Sequence, residues 1–150
     1  MSAATRVPLP EASSGSRRPF RPGLLQLEPP RLLGSRCSAC GTATFPARAF
    51  CPHCRATTGI DGVALTPDGH VHSFTLVRQA PAGVAVPYVL AQIDLGDGVR
   101  VLAQVVGAEP ERIALGAPVS LELAPVADAA GQPDGQLVGY RFRVDQEMTT

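Results

Sequence analysis

Four cysteines, arranged as two Cys-x-x-Cys pairs, constrain this chain more than any other feature. The pairs are Cys37/Cys40 and Cys51/Cys54, and no other cysteine occurs in the 150 residues. A Cys-x-x-Cys pair on a tight turn places two thiolates on one metal ion, so two pairs complete a tetrahedral shell. Gly41 directly follows the first pair, where the turn needs a residue tolerant of positive φ. The spacing therefore predicts a closed, structural metal site in a short β ribbon, with zinc as the expected metal.

Other uses of the cysteines fit the pattern less well. A disulfide framework is typical of small secreted proteins, yet no apolar signal segment opens the chain. A redox-active Cys-x-x-Cys usually occurs once, before a helix in a βαβ setting, which is not indicated here. A rubredoxin-type iron site uses the same four ligands, so iron stays an alternative to zinc. His53 lies inside the second pair and is expected to face solvent, since four thiolates already fill the shell.

Length and composition bound the remaining possibilities. A chain of 150 residues forms one medium domain or two small ones. No apolar run approaches the roughly 20 residues of a membrane span. Metal-binding thiols must stay reduced, so the cytoplasm is the expected location.

The charge is distributed unevenly although the net charge is zero. Residues 1–60 carry eight arginines against Glu11 and Glu28, a net +6, whereas residues 61–150 carry five arginines against eleven acidic side chains, a net −6. This asymmetry suggests that the N-terminal third faces something anionic, such as phosphate, nucleic acid or an acidic protein surface. Candidates for contact with phosphate or with a partner are Arg17, Arg18 and Arg21. The alternative is that these arginines are merely solvated.

The sequence divides into three parts. Residues 1–18 are rich in Ser, Ala and Pro and are predicted to be a disordered tail. Residues 19–60 are predicted to hold an N-terminal arm with a short helix, a strand at Arg31–Arg36 and the metal ribbon. Phe45 and Phe50 lie between the cysteine pairs and are expected to pack around the ligand loops. Residues 61–147 are predicted to form a barrel.

The C-terminal part shows a β pattern with short turns. In the first segment, His72, Phe74 and Leu76 are predicted to share one face, and Val71, Ser73, Thr75 and Val77 the other. A Gly-Asp-Gly turn at 96–98 joins two later segments as a hairpin, and residues 109–112 predict a short helical or 3₁₀ turn. The predicted strands are His70–Arg78, Tyr88–Leu95, Val99–Val106, Pro118–Val126 and Gly139–Val144. Five such strands favour a small closed barrel of the oligonucleotide/oligosaccharide-binding (OB) type, with an open sandwich as the alternative.

A ribbon followed by such a barrel resembles a family of bacterial and archaeal proteins with a rubredoxin-like zinc ribbon and an OB-fold domain, once grouped as a domain of unknown function. The resemblance covers about residues 19–145. Its ribbon motifs are PF and GLL within 19–25, RCSACG at 36–41, FPAR at 45–48 and CPHC at 51–54; its barrel motifs are GHVHSFT at 69–75, PYVLAQIDL at 87–95 and LGAPVSLEL at 115–123. Phe20-Arg21 departs from the family, which often has an aromatic pair there. The acidic and Gly-rich loop at 127–136 is a second departure, and the sequence assigns it no role.

The resemblance implies a function that the residues alone do not. Such proteins act as accessory subunits of thiolase-superfamily enzymes, which make or break carbon–carbon bonds on acyl-coenzyme A substrates by thiolysis, acyl transfer or retro-aldol cleavage. Some members pair with or are fused to hydratase-like domains. The partner carries the reactive cysteine and histidines, and a heterotetramer is the expected assembly. The small subunit is expected to stabilise that partner and to help shape the substrate site.

The residues agree with a non-catalytic subunit. Every cysteine is assigned to metal, so no Cys/His or Ser/His/Asp set is discernible. His70 and His72 are two apart on a predicted strand; they could bind a metal or phosphate, although a solvated pair on an edge strand is favoured. Glu109 and Glu111 flank a turn and are expected to be solvated.

Two other functions stay open on the sequence. Ribbons and OB barrels also bind nucleic acid, but the neutral net charge, the acidic barrel and the few aromatic residues disfavour that use. A rubredoxin-like electron carrier would need iron in the cysteine site and would be coloured.

Overall fold

The computed structural model describes residues 17–127 and 133–145. Within these ranges the regular secondary structure consists of β-strands and one 3₁₀ turn at Pro110–Arg112. The strands are β1 (Arg18–Pro19), β2 (Leu25–Leu27), β3 (Pro30–Cys37), β4 (Ala43–Thr44), β5 (Ile60–Ala64), β6 (Asp68–Val77), β7 (Tyr88–Leu95), β8 (Arg100–Val106), β9 (Pro118–Ala127) and β10 (Pro133–Val144). In the same part of the chain, no helix is long and apolar enough to cross a membrane.

Strands β6 to β10 close into a five-stranded barrel. An antiparallel meander β6-β7-β8 continues through a parallel β8–β10 pairing, and β9 pairs antiparallel with both β10 and β6 to close the ring. This strand order is the OB fold, which confirms the predicted fold class and excludes the open sandwich. Every second residue of β7 and β8 is buried, from Val89 to Leu95 and from Val101 to Val105, because alternate side chains point into the barrel.

A bulge in β6 changes which side chains face the core. Val71 lies opposite Ile93, but Ser73 lies opposite Gln92, so β6 holds one extra residue at this point. The prediction that Val71 shares a face with Ser73 and Thr75 is therefore wrong, whereas the alternation beyond the bulge is as predicted. Val71 is 2% exposed and faces the core, whereas Ser73 and Thr75 share the outer face with their partners Gln92 and Leu90.

The ribbon is built around β3. This strand pairs antiparallel with β2 along its first half and with β4 and β5 along its second half, and it ends at Cys37. Gly34 permits the close approach of β4, because a Cβ atom there would lie 2.2 Å from the carbonyl oxygen of Thr44. Buried Ser35 bonds to the Thr44 hydroxyl and accepts a hydrogen bond from the backbone N–H of Arg48. The predicted strand at Arg31–Arg36 is confirmed.

The N-terminal arm contains strands where a short helix was expected. In β1, Arg18 pairs in parallel with Leu137 of β10, and the N–H of Phe20 donates to the Val138 carbonyl at 2.8 Å. The expected helix is wrong because prolines at 19, 22, 29 and 30 lack N–H donors, and because Gly23 has φ of 78°. The predicted disordered tail of residues 1–18 is too long, because Arg18 belongs to β1. Residues 1–16 and residues 128–132 of the loop lie outside the described residues, so disorder of the rest of the tail stays a prediction.

Aromatic and apolar contacts join the ribbon to the barrel. Phe45 packs edge-on against Tyr140 of β10 with ring centroids 5.9 Å apart, and Phe20 reaches the same ring at 6.5 Å. Leu32 and Leu65 are 1% and 0% exposed and belong to one core with the barrel residues. The expectation that Phe45 packs around the ligand loops is wrong, because its ring packs on Tyr140 of the barrel. Phe50 is 47% exposed.

Candidate metal centre and surface residues

The structure brings the four predicted cysteine ligands together. All four Sγ atoms lie within 4.8 Å of one another, and the closest pairs, Cys37–Cys54 and Cys40–Cys51, are 3.6 Å apart. Four sulfurs bound tetrahedrally at a Zn–S distance of about 2.3 Å lie about 3.8 Å from one another. The donor set and its spacing therefore fit a single zinc or iron ion, with Cys37 and Cys51 buried beneath exposed Cys40 and Cys54.

The two cysteine turns have the same backbone geometry. The N–H of Gly41 donates to the Cys37 carbonyl, and the N–H of Arg55 donates to the Cys51 carbonyl, both at 2.8 Å. Gly41 has φ of 80° and Arg55 has φ of 68°. Arg55 is the one non-glycine residue with positive φ in the described part of the chain. An arginine thus occupies a left-handed position that glycine fills in the other turn.

The thiols differ in acidity. The hydrogen bond between Cys40 Sγ and the Thr42 hydroxyl, 3.2 Å apart, lowers the pKa of Cys40 to about 6. For Cys54, the backbone at Ala56 lowers the pKa, but hydrogen bonds with the other three sulfurs outweigh it and raise the pKa to about 12. Because only thiolates bind metal, metal coordination displaces the protons that remain on the thiols.

Asp97 ties the turn of the β7–β8 hairpin to the ribbon. Its carboxylate accepts a hydrogen bond from the Thr66 N–H at 2.7 Å and lies 3.7 Å from the guanidinium of Arg36 on β3. Burial opposes ionisation, but the bond from Thr66 and the charge of Arg36 hold the pKa of Asp97 below its usual range. Sequence analysis assigned Asp97 only to a turn, since its partners lie far along the chain.

The other candidate residues lie on the surface. Arg17, Arg18 and Arg21 are exposed near β1, and His53 is exposed on the second turn as expected. His70 and His72 are exposed as well; His72 Nδ1 lies 3.4 Å from Asp94, which also binds Arg100 at 2.6 Å. The arrangement holds the histidines beside an ion pair, and the cysteine cluster is the one metal-ligand grouping among the described residues.

Sequence reasoning missed the strained turn at Arg55 and the hydrogen bond to Cys40. The signal for the first was available: Arg55 follows its cysteine pair as Gly41 follows the first pair, so equivalent backbone geometry predicts positive φ at both. Thr42 lies two residues beyond Cys40, close enough for its hydroxyl to reach the thiolate.

Comparisons with known proteins agree with this architecture. Residues 26–58 match the domain described as ChsH2, rubredoxin-like zinc ribbon domain, and residues 62–124 match ChsH2, C-terminal OB-fold domain. A DUF35 domain-containing scaffold protein of Methanocaldococcus jannaschii is 35% identical over 115 residues, spanning 75% of this chain and 80% of the relative. Benzoylsuccinyl-CoA thiolase subunit BbsA of Thauera aromatica is 34% identical over 129 residues, spanning 83% and 86%.

A solved structure shows the same fold. The structure titled Ltp2-ChsH2(DUF35) aldolase superimposes with a TM-score of 0.62 at 32% identity, covering 76% of this chain and 84% of that chain.

Proposed function

Because this chain belongs to the DUF35 family, whose members join a rubredoxin-like zinc ribbon to an OB-fold domain, we propose that it is the accessory subunit of a thiolase-like or aldolase complex. That complex makes or breaks carbon–carbon bonds on acyl-CoA thioesters by thiolysis, acyl transfer or retro-aldol cleavage. The observation that carries the proposal is the pairing of two facts. The chain matches a thiolase subunit over 86% of that subunit's length, yet all four of its own thiols meet at one metal centre.

The chemistry is assigned to the partner chain. Covalent catalysis on a thioester needs an activated nucleophile beside a general base. The described residues hold no Cys/His or Ser/His/Asp set: the cysteines are gathered in the ribbon, and the histidines at 70 and 72 lie on the barrel surface beside Asp94. The subunit stabilises its catalytic partner and helps shape the site for coenzyme A and substrate, and we expect a heterotetramer.

The metal is proposed to be zinc with a structural role. Four thiolates close the shell, so no coordination position is open for water or substrate. Iron in the same ligand set would give a reddish protein with a visible absorbance band. A colourless protein that holds one equivalent of zinc supports the assignment and removes the electron-carrier alternative.

The surface of the barrel argues against nucleic acid. OB folds bind oligonucleotides on the face of their second and third strands, which here are β7 and β8. The outward residues of the centre of that face are Leu90, Gln92, Leu102 and Gln104, with no arginine or aromatic ring among them. Single-stranded nucleic acid needs basic side chains and several aromatic stacking platforms, and these four residues offer neither.

The arginine-rich start of the chain is proposed to contact the partner or the phosphates of coenzyme A, in the cytoplasm. Arg17, Arg18 and Arg21 are exposed around β1, on the part of the chain whose sequence is net positive. Changing all three to alanine should weaken association more at low salt than at high salt, because salt screens exposed charges. If the triple variant binds as tightly as the wild type at both salt concentrations, the proposed contact of these arginines is refuted.

The test is affinity purification of the chain from its native cells, followed by mass spectrometry and assay. We expect a thiolase-like or aldolase-like chain in near-equal amount, and turnover of acyl-CoA only in the complex. Turnover of a CoA thioester by the isolated chain, or recovery of the chain alone or with nucleic acid, would overturn the proposal.

A further inference from the structure

Two rows of uncharged side chains form the centre of the outer barrel surface. Across β6, β7 and β8, Ser73, Gln92 and Leu102 lie in register, and the next row is Thr75, Leu90 and Gln104. We call these six residues the neutral face. Leu102 is 57% exposed, and a shallow depression beside it is lined by residues of the same rows together with Phe74.

The edge of the neutral face carries charge. The adjoining row is His70, Asp94 and Arg100, in which the Arg100 guanidinium binds the Asp94 carboxylate in a two-point contact. Protein interfaces commonly have an apolar centre depleted of charge and a polar, solvated rim. The neutral face and its charged row have that arrangement.

The backbone of this surface is already satisfied. β7 pairs along its length with β6 on one side and β8 on the other. A partner therefore cannot add a strand here and must pack face-on, against side chains. The Ser73 hydroxyl donates to Gln92 Oε1 at 3.1 Å, which leaves the Gln92 amide N–H groups and the Gln104 side chain to bond across an interface.

The connection between β6 and β7 also exposes apolar side chains. Residues 79–87 contain no charged side chain, and Val84 and Val86 are 48% and 43% exposed. Several exposed apolar groups on consecutive parts of the chain are more informative than a single exposed leucine, since isolated ones are common on any surface.

The size and charge of this surface favour a larger, different partner over a second copy. At strand and residue spacings of about 4.8 and 3.3 Å, three strands and two uncharged rows cover about 200 Å². Two copies meeting through this face alone would bury about 400 Å², below the roughly 1,200 Å² of a stable specific interface. Residues 61–150 also carry eleven acidic side chains against five arginines, so two barrels placed face to face repel each other.

We propose that the neutral face is the docking surface for the catalytic subunit, with Leu102 at its apolar centre. The inference rests on the proposed function, which supplies the partner. The partner's matching surface is uncharged and apolar at its centre and packs flat on the sheet. The OB fold's usual ligand face is thereby used for a protein.

The experiment compares Leu102→Arg with Leu115→Arg in the intact complex. Leu115 is the matched control, because it is also an exposed leucine (69%) but does not belong to the neutral face. It lies in the turn whose Gly116 N–H donates to the Val71 carbonyl of β6. Each tagged variant is expressed with the catalytic chain identified by wild-type purification, and the Kd is measured by calorimetry. Metal content and the unfolding midpoint of each free variant establish that it is folded.

We expect Leu102→Arg to weaken binding by about a hundredfold or more, as charge at the centre of an interface does, and Leu115→Arg to leave the Kd within about threefold of wild type. Equal Kd values for wild type and folded Leu102→Arg would overturn the docking surface while leaving the proposed function intact. A concentration-dependent dimer of the free chain that Leu102→Arg abolishes would overturn it in favour of a second copy. Failure of the wild type to bind any catalytic chain would instead refute the proposed function.

Discussion

Replacing Arg55 first with alanine and then with glycine separates the backbone strain of the second cysteine turn from the charge of its side chain. Arg55 has φ of 68°, and its N–H bonds to the Cys51 carbonyl as that of Gly41 bonds to Cys37. The alanine variant removes the guanidinium but keeps a Cβ atom in the left-handed conformation. The step from alanine to glycine then removes only the Cβ atom.

The magnitude follows from the backbone conformation. A Cβ atom in the left-handed region destabilises the folded state by about 1–2 kcal/mol. Replacing alanine with glycine removes that cost, but the extra freedom of glycine in the unfolded chain offsets about 0.5–1 kcal/mol of the gain. The alanine-to-glycine step at 55 should therefore stabilise the protein by about 0.5–1 kcal/mol. The matched change is Gly41→Ala, where no atom lies within 4 Å of an added Cβ, so the same amount should be lost.

The assay is denaturant unfolding at fixed pH and a fixed concentration of free metal, because metal binding is linked to folding. In thermal unfolding of a chain of this size, each kcal/mol of stability corresponds to a Tm change of about 2–4 °C. The difference between wild type and Arg55→Ala reports the side chain's charge and contacts separately. If Arg55→Gly is no more stable than Arg55→Ala, or if Gly41→Ala loses nothing, the argument from backbone strain is refuted.

Two further predictions concern the metal centre and an ion pair of the barrel. Cys37→Ser or Cys54→Ser should give protein that lacks bound metal and is insoluble or cut rapidly by protease, since metal binding is coupled to folding; soluble, protease-resistant variants would show that the site is not structural. Glu122 bonds to Arg143 and, at 2.6 Å, to Arg141, and these bonds hold its pKa below its usual range in the folded state. A carboxyl group whose pKa is lower in the folded than in the unfolded state stabilises the folded protein at pH values above its unfolded-state pKa. That stabilisation is lost as the pH falls through the folded-state pKa. Wild type should thus have a higher Tm than Glu122→Gln at pH 7, and the difference should shrink below about pH 4.5; exposed Glu111→Gln serves as the control, and a difference that stays constant down to pH 3 would contradict the assignment.

The features that the sequence predicted correctly are those set by local pattern. Strand β7 has the predicted bounds, Tyr88–Leu95, because alternate apolar residues, a preceding proline and a following Gly-Asp-Gly turn all agree. The convergence of the four cysteines followed from spacing alone, since Cys-x-x-Cys turns have a limited range of geometries. The order of five strands with short turns was enough to favour a closed barrel.

The features that were missed depend on contacts distant in sequence. The bulge after Val71 does not interrupt the alternation of letters in β6, so only pairing with β7 shows that Ser73 and Thr75 face outward. Strand β1 exists because Arg18 and Pro19 find Leu137 and Val138 at the opposite end of the chain. Phe45 likewise packs on Tyr140 of β10, which no local rule connects to a residue between two cysteine turns.

The shared core around Leu32 and Leu65 has a consequence for how such proteins evolve. The N–H of Leu65 bonds to the Leu32 carbonyl at 2.8 Å, and both side chains are enclosed by ribbon and barrel together. A gene rearrangement that joined this barrel to a different ribbon would leave both leucines against a surface they do not fit. Ribbon and barrel are therefore one packing unit in this chain, and a new ribbon would need matching changes at Leu32, Leu65 and their neighbours.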